Sequence, residues 1–138
     1  MTTDNNKAIV RSVYDAINDR DVAAFDALIA ADVESHTPFP QPDAGLAGYR
    51  DVFAEVLAAF PDYRVEVHDQ IAEGDEVVTR YTATGTQQGE FRGVAGTGQQ
   101  VELIGIDIDR VRDGKVVEHW SEAGPSHLRA ERGLVLAR

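Results

Sequence analysis

Two periodicities divide the chain. Up to about residue 60 the apolar positions recur at helical spacing, and beyond it they alternate. Ile9, Val13 and Ile17 recur every fourth residue with Val10 and Tyr14 on the flank, which predicts a first helix that Asn5 or Asn6 is placed to cap. Asp21 is placed to cap a short second helix carrying Phe25, Leu28 and Ile29, and a brief extended piece follows over Val33 to His36. The proline-punctuated run TPFPQPDAG reads as a loop, because proline lacks the backbone donor a helix needs. A third helix carries Tyr49, Val52, Phe53, Val56, Leu57 and Phe60, and Pro61 marks its end.

The second half reads as strands. Tyr63, Val65 and Val67 alternate with Arg64, Glu66 and His68, and Glu73-Gly74-Asp75 reads as a turn. It leads into a long strand, EVVTRYTATGTQQGEF, rich in β-branched residues. RGVAGTGQQ is a flexible loop: it lacks the lysine and hydroxyl of a phosphate-binding loop and opens no helix. VELIGIDIDRV and KVVEHWSEA are then joined by Asp113-Gly114, a strong hairpin signal. Helices first and a curved antiparallel sheet afterwards predict the α+β class, with residues 1–138 forming one domain.

Length and charge narrow the function classes. A chain of 138 residues is the size of one ordinary domain and can hold itself together by packing, without the disulfides that a cysteine-free sequence cannot form. The polar start, MTTDNNKAIVRS, lacks the apolar core of a signal peptide, and no apolar run reaches the ~18 residues of a membrane span. The expected location is the cytoplasm. A net charge of −11 argues against nucleic acid and anionic membranes as partners. Only Lys7 and Lys115 are lysines, against eleven arginines, a balance that suits either a salt-loving cytoplasm or a GC-rich genome. The histidines at 36, 68, 119 and 127 have no metal-ligand spacing and no cysteine support, so neither a metal nor a cofactor is expected.

The last hairpin concentrates the chemistry. Side chains alternate across a strand, which separates Ile104, Ile106 and Ile108 from Leu103, Asp107, Asp109 and Val111. A plain two-residue turn at Asp113-Gly114 pairs Arg112 with Lys115 and puts the aspartates on one face with Val116, Glu118 and Trp120. One bulge or a longer turn reverses this and sets them beside His119 and Ser121. Both faces carry apolar residues, so helices on one side and a second subunit on the other are expected, predicting a homodimer with Trp120 in the outer interface.

DVESHTP, AFPDYRVEV, RYTATGTQQGEF and RVRDGKVVEHW, in a helix-helix-loop-helix-then-strands order, resemble the SnoaL-like polyketide cyclase and ester cyclase group. That group belongs to the superfamily that includes nuclear transport factor two, ketosteroid isomerase and scytalone dehydratase. The resemblance covers nearly the whole chain. It implies a cone-shaped molecule in which three helices pack on the concave face of the sheet and close a deep pocket for a small hydrophobic molecule. In the polyketide cyclases a histidine on the penultimate strand and an acid/base aspartate on the last strand face that pocket. Asp107 and Ser121 stand in those places here, and Gln87 stands where many ester-cyclase-like members have a histidine. The resemblance thus implies that Asp107, His119 and Ser121 share the pocket face, which requires the bulge or longer turn.

On that reading Asp107 and His119 form an acid–base pair, and His36 is the titratable group nearest the place where isomerases of this fold keep a base. Tyr14, Tyr49, Phe53, Phe60, Gln87 and Ser121 are the expected substrate contacts. The implied reaction is a cofactor-independent cyclisation, isomerisation or dehydration. Two alternatives compete with it: a binding protein that kept the pocket and lost the acid/base pair, and a purely structural dimer module.

Overall fold

The computed structural model describes residues 2–37 and 44–125. The first helix, α1, spans Thr3–Asp19 and is capped not by an asparagine but by Thr2, whose Oγ1 accepts from the Asn5 amide at 3.1 Å. Asn6 is instead buried on the helix. Asp21 caps a single 3₁₀ turn, Val22–Ala24, its carboxylate accepting from the Ala24 amide. Only one α-turn follows, α2 at Phe25–Leu28, because β1 begins at Ile29 and runs to His36, four residues ahead of the Val33 start that alternation alone marks. Ile29 pairs with Val116 and is 2 % exposed, so a residue that looks like the end of an amphipathic helix serves as the start of a buried strand. The third helix, α3, covers Gly45–Ala59 and ends at Phe60, ahead of Pro61. The proline loop expected over 37–45 lies, for residues 38–43, outside the described residues.

Four further strands complete one sheet: β2 Arg64–Glu73, β3 Glu76–Thr86, β4 Gln100–Arg112 and β5 Lys115–Pro125, in the order β1-β5-β4-β3-β2. The fold is α+β. Every pairing is antiparallel except β1 with β5, which is parallel, so the sheet is mixed at one edge. The strand expected to run on to Phe91 stops at Thr86, where the backbone leaves the ladder: the Asp62 carboxylate accepts from the Thr86 amide at 2.7 Å and its hydroxyl at 2.8 Å. The Gln88 and Gly89 amides then turn to the Ala59 carbonyl at the end of α3.

Asp113 (φ 51°) and Gly114 (φ 79°) both occupy the left-handed region, the signature of the two-residue type I′ turn that matches the twist of a hairpin. Arg112 pairs with Lys115 and Val111 with Val116, but Arg110 already pairs with Glu118, leaving Val117 as a one-residue bulge. Downstream of it Asp109 faces His119 and Asp107 faces Ser121. The turn and the bulge therefore coexist, and the bulge puts both aspartates, His119 and Ser121 on the concave face. The isoleucine stripe looks outward, with Ile106 50 % exposed. Helices and concave sheet enclose the core, in which Phe25, fully buried, meets the rings of Tyr49 and Phe53 edge-on, each at 5.5 Å.

Candidate active site

The interior of the cone is not filled. A cavity of about 330 Å³ opens between α1, α3 and the sheet. Most of its lining is aliphatic or aromatic: Val10, Val13 and Ile17 from α1, Val52, Phe53 and Val56 from α3, and Leu103 and Val116 from the sheet. Apart from Thr37, the polar side chains among its described lining gather where β4 and β5 run side by side, Asp107, Asp109, His119 and Ser121, and Tyr14, Tyr49, Tyr63 and Tyr81 also line the space. An apolar cavity with a few converging polar groups is the usual form of a small-molecule site.

Two buried pairs organise the wall. Asp109 Oδ1 lies 2.6 Å from His119 Nδ1, with both side chains almost wholly out of solvent. This contact fixes the ring orientation and leaves Nε2 as the second ring nitrogen. Tyr14 donates its hydroxyl to Asp107 Oδ2 at 2.6 Å, tying α1 to the middle of the sheet. Asp107 Oδ1 is buried and no donor meets it at full hydrogen-bond geometry, while the Ser121 and Tyr81 hydroxyls stand by the same carboxylate. Tyr49 stands edge-on to the His119 ring at 6.2 Å.

Burial disfavours the charged imidazolium. The charge and hydrogen bond of Asp109, helped by the charge of Asp107, more than offset that penalty, and the His119 pKa rises to about 9. Burial also raises the Asp107 pKa; the His119 charge and the Tyr14 and Ser121 hydrogen bonds pull against this, and the neighbouring Asp109 charge adds to it. Burial, together with the same carboxylates, raises the pKa values of the surrounding tyrosines, with Tyr63 reaching about 12. Near neutral pH the wall therefore offers an imidazolium donor beside a carboxyl group whose proton affinity is enhanced.

The residues marked by the sequence separate into three places. Asp107, His119, Ser121, Tyr14, Tyr49 and Phe53 line this cavity. Phe60 and Gln87 line a second one, of about 310 Å³, beneath the loop that follows β3. The Gln87 amide is consumed there: it donates to the carbonyls of Gly89 (3.1 Å) and Val94 (2.8 Å) and accepts from Gln99 (2.9 Å), so its side chain shapes the loop. His36 lies on the outer face of the sheet, stacked on Trp120 at 5.3 Å and bonded to Glu118 Oε2 at 2.9 Å, and lines neither cavity. His119 takes Asp109, not Asp107, as its direct partner. Asp109, Tyr63 and Tyr81 are site residues that the sequence reading passed over; the i,i+2 spacing of Asp107 and Asp109 was the available signal for the first. Glu34, His36 and Glu118 bring metal-ligand atoms within 4.8 Å of one another, but Glu118 also holds Arg110 at 2.7 Å, which sets a cation beside that group already.

A model of the SnoaL-like polyketide cyclase family matches residues 7–130. The chain belongs to that family. Among solved structures, IdmH from Streptomyces antibioticus, a candidate polyketide cyclase, is 35 % identical, with 86 % of this chain and 91 % of that one covered at a TM-score of 0.76. AclR from Streptomyces galilaeus, a candidate hydroxylase, is 32 % identical over 96 % of this chain and 87 % of that one, with a TM-score of 0.79. TsrD from Streptomyces laurentii, 24 % identical with 96 % of each chain covered and a TM-score of 0.80, shares the fold. No curated protein sequence matches. The differing reaction names of the first two show why the family's fold must be read together with its side chains.

Proposed function

We propose that this SnoaL-like chain is a cofactor-independent acid–base catalyst that closes or rearranges a ring in a small hydrophobic molecule. One observation carries the reading: the buried Asp109–His119 and Tyr14–Asp107 pairs lie side by side on the β4–β5 wall of a mainly apolar cavity. In an intramolecular aldol closure, Asp107 accepts a proton from the carbon next to a carbonyl, and the resulting enolate carbon attacks a second carbonyl of the same molecule. His119 donates a proton to the alkoxide that forms, so the carbon–carbon bond is made without net gain or loss of protons. Asp109 acts as a positioning residue that keeps the ring oriented and protonated. Asp107 Oδ1, which no donor meets at full hydrogen-bond geometry, supports its role as acceptor, since a buried ionised oxygen left so is costly and a substrate proton relieves it. Such proton transfers typically contribute ~10²–10⁴-fold in rate. His36 has no part in this scheme, given its place on the outer face.

A second reading, a binding protein without turnover, is favoured by Ser121, which stands where the cyclases carry their acid/base aspartate and cannot shuttle a proton near neutral pH. An assay on model 1,5- and 1,7-diketones, following loss of the carbonyl absorbance, separates the two. Closure accelerated by the wild type and reduced ~10²–10⁴-fold in both Asp107→Asn and His119→Gln supports catalysis. Saturable binding of the same diketones with no closure above the buffer rate supports the binding protein.

We further propose that the active form, acting in the cytoplasm, is a homodimer joined through the outer face of the sheet. Ile71, Val78, Ile108 and Trp120 pair successively across β2, β3, β4 and β5 and form one apolar row, with Ile106 beside it. Ile71, on the edge strand β2, is 69 % exposed, and Ile106, on the central strand β4, is 50 % exposed. Among the described residues no helix is long and apolar enough to cross a membrane.

A further inference from the structure

The two cavities share part of their walls. Val56, Tyr63 and Leu103 line both, so the apolar chamber beneath the 87–99 loop lies against the acid–base chamber with only these side chains common to the two. Tyr63 is thus common to both chambers, and burial and the charge of Asp107 raise its pKa. The second chamber has little to offer a polar group. Its remaining wall is Phe60, Ala83, Gly85, Phe91, Val94 and Val101, with Thr84, which is exposed, and Gln87, whose amide is fully engaged by its own loop. The loop is held in place over this space, with the Gly98 amide also donating to the Gln87 carbonyl at 2.9 Å. An apolar space of about 310 Å³, roofed by an anchored loop, is poorly suited to water, which needs two to four polar partners to be retained.

We propose that the substrate has two parts: a carbonyl-bearing head that reacts in the first chamber and an apolar tail or second ring that enters the second chamber between Val56, Tyr63 and Leu103. The inference rests on the acid–base reading above for which end of the molecule lies where. It names the substrate class, an elongated molecule whose polar groups are gathered at one end. A compact single-ring substrate leaves the second chamber empty and forgoes its contacts. The chamber thus serves as a ruler for the length of the non-reacting part, and binding there supplies affinity remote from the chemistry.

The test uses 4-alkylphenols from 4-methylphenol to 4-octylphenol, titrated calorimetrically into the wild-type protein and into Ala83→Leu, which narrows the second chamber. Val94→Trp, at a position 58 % exposed, is the companion variant in case the buried substitution lowers the melting temperature. In the wild type, affinity should rise by up to about fourfold per added methylene as the tail enters apolar space. In both variants 4-methylphenol should bind as in the wild type while the gain from the longer tails is lost. An affinity that does not grow with tail length in the wild type, or that grows equally in the variants, overturns the proposal. The acid–base reading fails separately, by absence of diketone closure, and that result leaves the dependence on tail length untouched.

Discussion

His119 carries a charge that its surroundings enforce against the cost of burying it. Its pKa of about 9 depends first on one neighbour, Asp109, which supplies both charge and hydrogen bond, and only secondarily on Asp107, which supplies charge alone. An NMR titration of the His119 ring should therefore show a fall of about one to two pH units in Asp109→Asn, where only the Asp107 charge still opposes burial, and a smaller fall in Asp107→Asn. Equal falls in the two variants would mean that the pairing described here is wrong. Two pH dependences follow. Because the folded-state pKa lies above the ordinary value of 6.5, this histidine stabilises the fold fully below pH 6.5 and loses that contribution as pH rises through about 9. The melting temperature should fall across that window, and the fall should flatten in His119→Gln. Turnover should likewise decline above about pH 9 as the imidazolium is lost, with an acid limb displaced upward from the ordinary carboxylate range because the Asp107 pKa is raised. Gly105 acts at the same scale. A methyl group there would run into the Cζ and hydroxyl of Tyr81, which is buried and cannot swing out to solvent. Gly105→Ala should cost about 1–3 kcal/mol in denaturant unfolding, as overpacked cores do, and displace the Tyr81 hydroxyl from the site.

At the scale of elements, the β4–β5 hairpin decides what the site contains. The Asp113-Gly114 turn and the Val117 bulge act together: the turn sets the pairing at Arg112, and the extra residue carries His119 and Ser121 round to the aspartates. Gly114→Ala should destabilise by about 1 kcal/mol, read from the urea midpoint, because its φ of 79° suits only glycine without strain. The start of α3 is pinned in a similar way. Gly45 has φ 71°, and a Cβ there would come within 2.5 Å of the Ala31 carbonyl oxygen on β1. Gly45→Ala should cost more than Gly114→Ala, since it combines backbone strain with a collision against backbone atoms of β1, whereas a Cβ at Gly114 meets nothing within 4 Å. Equal losses would argue that α3 is free to shift. Asp113-Gly114 was legible at once, as was the α3 stripe from Tyr49 to Phe60. The α2-to-β1 boundary was not, because Ile29 fits a helix face and a strand start equally well and only its pairing with Val116 settles which. The N-terminal cap was misplaced by a few residues for a related reason: threonine and asparagine both cap, and the choice depends on where the helix packs.

At the scale of the whole molecule, a net charge of −11 and an apolar row on the outer face of the sheet impose opposite demands. Charge favours dispersal, whereas exposed isoleucines favour a partner, and a dimer that covers the row while keeping the acidic surface in water meets both. Ile106→Glu places a charge within that face. It should convert a dimer to a monomer in light scattering coupled to gel filtration while leaving the His119 titration unchanged. A wild type that is monomeric at all concentrations would remove the dimer from the account.

The division of labour between sequence and tertiary structure follows the range of the forces involved. Periodicity, the turn residues and the family motifs are local, and by themselves they determined the α+β class, the order of most elements and a short set of pocket candidates among which Asp107, His119, Tyr14 and Tyr49 do meet. Partner choice among those candidates is not local. That His119 binds Asp109 while Asp107 binds Tyr14, from a helix 93 positions away, is set by a single bulge and by the seating of α1 on the sheet. His36 and Gln87 show the same limit: each has chemistry suited to a site, and the fold commits one to the outer face and the other to holding a loop. The division of the interior into two chambers is likewise a property of tertiary packing, because it depends on where Val56, Tyr63 and Leu103 come together, and nothing within a few residues of any one of them specifies that.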